Sequence, residues 1–154
     1  MKTLLTIMLV VMAPIVLASA PTDFSGTWEL NTDKGENLGM MKAVKETVVA
    51  TQSDEQIVFA MTDIFGGTTI ERTVTYHLGG KTMQNKAAMG AASETVTSWD
   101  GDKLVTVWTA EGAILGTTDE RTETRWLSAD GKELFVSTVR GDNPAMVFVF
   151  DKIE

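Results

Sequence analysis

Apolar and polar residues alternate with period two along almost the whole chain after residue 20. Thr, Val, Phe, Tyr and Trp are over-used in these stretches, which is the pattern of half-buried strands rather than helices. The alternation predicts strands at 24–32, 43–52, 55–63, 68–78, 81–86, 93–99, 102–110, 117–127, 132–140 and 145–153. Ten short strands on short connections imply an all-β fold: an antiparallel up-and-down barrel or a sandwich of about 8–10 strands.

The connections fall into two alternating kinds. Ser53-Asp54, Gly79-Gly80, Asp100-Gly101 and Asp130-Gly131 are tight and polar, as expected of hairpin turns that need positive φ. Those between them, 35–41, 63–67, 87–92, 112–116 and 140–144, are longer, and all but the last carry apolar residues. Alternate hairpins of a meander lie at the same end of the barrel. One end is therefore closed by polar turns, and the other is rimmed by Leu38, Met40, Met41, Ile64, Phe65, Met89, Ile114 and Leu115. Loop tips are ordinarily polar. An apolar rim is either the mouth of a cavity, with Met41, Phe65, Met89 and Leu115 around it, or a plug folded into the barrel end. Such tips could also meet a protein partner.

The first residues follow a different pattern. Lys2, an apolar run from Leu4 to Leu17 and Ala18-Ser19-Ala20 have the layout of a secretory signal peptide. Cleavage is expected after Ala18, with Val16 at the −3 position, or after Ala20, where Pro21 would follow. Residues 21–154 then form one domain, secreted or periplasmic, with no stable membrane insertion after cleavage. At that length about two-thirds of the chain's surface can be buried, which suffices for a core without disulfides.

Composition narrows the chemistry. The chain carries a net charge of −8 at pH 7, one unit more negative without Lys2. No basic stripe is available for nucleic acid or an anionic membrane surface. There is no cysteine, which excludes a disulfide framework, a zinc–thiolate site, a thiol nucleophile and a lipoprotein anchor. With the single histidine, His77, a multi-histidine metal site is excluded as well. No metal or other cofactor is expected. A Ser-His-acid triad could run only through His77, and no G-x-S-x-G elbow accompanies it. His77 lies on a polar face and reads as exposed and inert, so an enzyme is not the favoured class.

Several short segments carry a resemblance. Phe24-Ser25-Gly26-Thr27-Trp28-Glu29-Leu30 resembles the first-strand G-x-W motif of the calycins, the lipocalins and fatty-acid-binding proteins. Ser98-Trp99-Asp100-Gly101-Asp102-Lys103-Leu104-Val105 is similar to the D-G-x-K-L-V hairpin of fatty-acid-binding proteins, and Phe148-Val149-Phe150-Asp151-Lys152 to their terminal R-x-Y-x-[KR] strand. Together with Trp126 to Lys132, these segments look most like small secreted bacterial lipocalin-like proteins. The resemblance implies a barrel in which Trp28 packs across the closed end. It also carries departures. The interval after Trp28 is too short for a helix-turn-helix lid, and Phe148 and Phe150 stand where the arginine and tyrosine of the carboxylate clamp would be. A small, mainly apolar ligand fits these substitutions better than a clamped fatty acid.

The candidate ligand contacts follow from strand faces. Ile70, Arg72, Val74, Tyr76 and Leu78 share the apolar face of their strand, which takes Arg72 into the barrel. There it must find a carboxylate, carbonyls, water or a ligand. The strand 117–127 is polar on both faces, with Asp119, Arg121, Glu123 and Arg125 on one of them. Similarity of Thr117-Thr118-Asp119-Glu120-Arg121 to a ligand-facing T-T-x-x-R of fatty-acid-binding proteins would turn Arg121 and Arg125 inward. The cost of four charges in a lumen favours the charged face outward, as a solvated ladder. Phe59 and Met61, Trp108, and Phe148 and Phe150 occupy apolar faces as core or cavity lining. Ten strands enclose more volume than a small closed barrel fills, which favours a cavity.

Overall fold

A computed structural model describes residues 21–87 and 90–154. The proposed leader lies outside the described residues, as does Met89. All ten expected strands form, with ends within two residues of expectation: β1 Gly26–Leu30, β2 Lys45–Gln52, β3 Gln56–Phe65, β4 Thr68–His77, β5 Met83–Lys86, β6 Ala92–Asp100, β7 Lys103–Glu111, β8 Thr118–Leu127, β9 Glu133–Val139 and β10 Met146–Lys152. A short 3-10 helix, Gly39–Ala43, occupies the connection from β1 to β2.

All strands join one antiparallel sheet in the order β4-β3-β2-β1-β10-β9-β8-β7-β6-β5. The first and last strands pair with each other, Trp28 opposite Lys152 and Leu30 opposite Phe150. The sheet curls into a barrel with one seam, between β4 and β5. Gly79-Gly80 is therefore not a hairpin turn, as its composition suggested. It carries the chain between two strands that no backbone ladder connects. A side chain spans the seam instead. The Thr75 N–H donates to Asn85 Oδ1 at 2.9 Å, and Asn85 Nδ2 donates to the Thr75 carbonyl at 2.8 Å and to Thr95 Oγ1 at 2.7 Å. The amide of Asn85 copies the donor–acceptor pair of a peptide group, which satisfies an edge backbone that would otherwise lie open.

Alternation sorts the core. Ile57, Phe59 and Met61 of β3, Val74 and Tyr76 of β4, Leu104 of β7, Leu134 of β9 and Phe150 of β10 are buried together. Trp28 is fully buried among them, its indole N–H donating to the Phe24 carbonyl at 3.0 Å. Phe24 stacks on Trp99, with ring centroids 6.1 Å apart. The glycine before this tryptophan has a structural cause. Gly26 has φ +138°, and a Cβ there would sit 2.8 Å from the Glu154 carbonyl, which accepts the Thr27 N–H.

The two barrel ends are unlike, with two corrections to the expected rim. Strands β3 and β4 run on to Phe65 and Thr68, so their connection is the two-residue turn Gly66-Gly67, with φ 56° and 81°, the type I′ geometry that suits a twisted hairpin. Leu38 is buried and does not stand at the tip. Met40, Ile114 and Leu115 are exposed, Leu115 almost completely, and Ile64 and Phe65 are about half exposed. They project from the rim and leave the barrel interior unplugged.

Candidate ligand-binding site

A cavity of about 510 Å³ occupies the barrel and opens toward this rim. Its volume falls within the roughly 300–1,000 Å³ usual for small-molecule sites. Phe59, Met61, Arg72, Tyr76, Trp108, Arg121, Arg125, Phe148 and Phe150 all line it. Five strands bring them together, each through its inward alternate positions. Met41, from the 3-10 helix, lies at the mouth, whereas Phe65 and Leu115 stand outside the lining. Val48, Leu134, Val136 and Met146 complete the apolar wall. The same alternation that marks Phe59 marks these four. His77 is half-buried and accepts the Gly79 N–H at 2.9 Å, which gives it a part in the turn beside the seam.

The charged face of β8 points into the barrel, contrary to the energetic expectation. Glu123 and Arg125 are buried and Arg121 is largely so. Burial is tolerated because the charges meet one another and aromatic faces. Glu123 accepts from Arg125 Nη2 at 2.7 Å and pairs with Arg121 Nη2 at 3.1 Å. The Tyr76 hydroxyl donates to Glu123 and accepts from Arg125, both at 3.3 Å. The Arg121 guanidinium lies 4.3 Å from the Trp108 ring centroid, and that of Arg125 lies 4.9 Å from Phe59 and 5.1 Å from Tyr76.

A second network lies nearer the mouth. Arg72 donates to Asp63 Oδ2 from Nε at 2.9 Å and to Glu46 Oε1 from Nη2 at 3.2 Å. The inward position expected of Arg72 is thus realised through an internal ion pair. Glu46 and Asp63 were not singled out from the sequence. Both lie on inward faces, Glu46 with Val48 and Ala50, and Asp63 with Phe59 and Met61.

Environment sets the proton affinities. Burial pushes the Glu46 carboxyl up to about 7; Arg72 works against this, and Asp63 adds to it. Burial would raise Glu123 too, but Arg125 and Arg121 together hold it below its ordinary value. Burial pushes the Tyr76 hydroxyl well above its usual range. Among the described residues, four buried polar atoms have no hydrogen-bond partner: Asp63 Oδ1, Trp108 Nε1, Arg121 Nε and Arg125 Nη1. Trp108 Nε1 neighbours Glu123 without completing a bond to it. Three of the four are donors at the cavity wall, where an incoming acceptor would be held.

A ten-stranded meander around an internal cavity is the architecture of the calycin barrels, in the form seen in fatty-acid-binding proteins. Human cRBP IV superimposes with a TM-score of 0.66 at 17% identity, covering 86% of this chain and 99% of that one. The REP1-NXSQ fatty acid transporter does so at 0.63 and 12% identity, over 84% and 96%. Echinococcus granulosus fatty-acid-binding protein 1 follows at 0.61 and 16%, over 85% and 98%. At these identities the likeness is one of fold. No protein-family model and no curated protein matches the sequence.

Proposed function

We propose that this protein is an exported binding protein that carries or sequesters a small, mainly apolar molecule inside its barrel. The observation that carries this reading is the open internal cavity, walled by Phe59, Trp108, Phe148 and Phe150 and holding unsatisfied donors on Arg121 and Arg125. Apolar walls supply affinity and a few placed polar groups fix orientation. Two of the similar structures are named as a fatty acid transporter and a fatty-acid-binding protein, which supports binding rather than catalysis. Export rests on the layout of residues 1–20.

Native mass spectrometry of the protein purified gently from its own compartment tests the reading. An added mass that disappears on organic extraction is expected, on a chain beginning at Ser19 or Pro21. A bare mass, with no gain on incubation with apolar probes, would overturn it. Attention would then pass to the exposed Met40, Ile114 and Leu115, which favour a second reading as a contact surface for a protein partner.

A further inference from the structure

The charges inside the barrel are distributed in a way that bears on which ligands can enter. The inner network, Arg121, Arg125 and Glu123, has one positive charge in excess. The network near the mouth, Arg72, Asp63 and Glu46, has one negative charge in excess, because two carboxylates share a single guanidinium. With every carboxylate ionised the two excesses cancel. An anionic head group entering this lumen brings an uncompensated charge into a mainly apolar cavity, whereas a neutral head brings none. The unpartnered donors on Arg121 and Arg125 still call for an acceptor.

Glu46 is the group able to change this balance. It is buried on β2, and its one hydrogen bond comes from a guanidinium that also serves Asp63. The charged groups acting on it are Arg72 from β4, Asp63 from β3, and Arg125 and Glu123 from β8. Arg121, also from β8, belongs to the same inner network, and Arg140 at the rim pairs with Asp119. Of two carboxylates sharing one guanidinium, the more deeply buried one is the first to take up a proton.

We propose that the cavity selects its ligand by charge: a neutral amphiphile with a hydrogen-bond-accepting head while Glu46 is ionised, and an anionic amphiphile as well once Glu46 is protonated. Protonation removes the excess negative charge near the mouth and leaves the positive excess at Arg121 and Arg125, beside their free N–H groups. The raised proton affinity of Glu46 brings this change near neutral pH. The inference rests on the binding role proposed above and narrows it to a ligand class.

The test uses two probes of equal chain length, dodecanol and dodecyl sulfonate, because a sulfonate stays ionised throughout the range. Both are titrated calorimetrically into the full protein at pH 8.5 and pH 5.5. Dodecanol is expected to bind with the same affinity, within about threefold, at both. Dodecyl sulfonate is expected to bind at least ten times more weakly than dodecanol at pH 8.5, and to gain at least tenfold at pH 5.5. In Glu46→Gln the sulfonate should bind at pH 8.5 as tightly as the parent binds it at pH 5.5, with no remaining pH dependence. Sulfonate binding at pH 8.5 that equals that of the alcohol overturns charge selection and leaves the binding role standing. A pH dependence that persists in Glu46→Gln overturns the assignment to Glu46. Failure of both probes at both pH values removes the binding role and this inference with it.

Discussion

Glu46 is a residue at which burial outweighs charge pairing. Burial pushes its carboxyl up to about 7 in the folded chain, from an ordinary value of about 4.5. A carboxyl with a raised folded pKa binds more protons folded than unfolded between these two values. Stability from this group is therefore fully present below about pH 4.5 and is lost as pH rises through about 7. Glu46→Gln keeps an acceptor for Arg72 and removes the ionisation. Its melting temperature should match the parent at pH 5 and exceed it at pH 8.5, by an amount equivalent to on the order of 2 kcal/mol. Calorimetric scans of both proteins across this range check it, and a difference that does not vary with pH would contradict it. The sequence displayed Glu46 on the same face as Val48 and Ala50. A single acidic residue on an apolar face does not reveal the guanidinium that makes it tolerable, because that guanidinium belongs to another strand.

At the scale of elements, β5 and β8 show what alternation conveys and what it leaves out. Nine apolar or cationic residues read from strand faces line one cavity, because period-two alternation fixes the face of every residue once one is fixed. The β8 strand is polar on both sides, so its apolar pattern names no inward face. Counting the burial cost of each charge separately pointed outward, whereas the charges are buried as a set with Tyr76 and Trp108. The Gly79-Gly80 turn was misjudged for a related reason. Turn residues show that the chain reverses, but not that the strands on either side pair. What joins β4 to β5 is the side chain of Asn85. Asn85→Ala should free the Thr75 N–H, speed its hydrogen exchange and that of its β4 neighbours by tenfold or more, and cost about 1–2 kcal/mol. Exchange measured residue by residue by NMR checks this. Unchanged protection of Thr75 would mean that packing, rather than the amide, closes the seam.

On the scale of the whole molecule, the chain's continuity and the sheet's continuity are broken at different places. The sheet lacks a ladder between β4 and β5, where the chain runs on without interruption. The start of β1 and the last described residue meet at the sheet, where the Thr27 N–H donates to the Glu154 carbonyl at 3.0 Å. A circular permutant that joins these ends through a short linker and starts at Gly80 would place the strands in the spatial order β5 to β10 and then β1 to β4. Every ladder would then link sequence neighbours, and the most distant strand pairing, Trp28 with Lys152, would become a local hairpin. Folding slows as contacting residues lie farther apart in sequence. The permutant should refold several-fold faster than the parent in stopped-flow measurements and keep the same cavity. An unchanged refolding rate would show that docking β1 against β10 is not the slow step. The seam thus makes the start of the polypeptide a matter of convention: the barrel is a ribbon of ten consecutive strands, and its natural connectivity begins to write that ribbon from the middle.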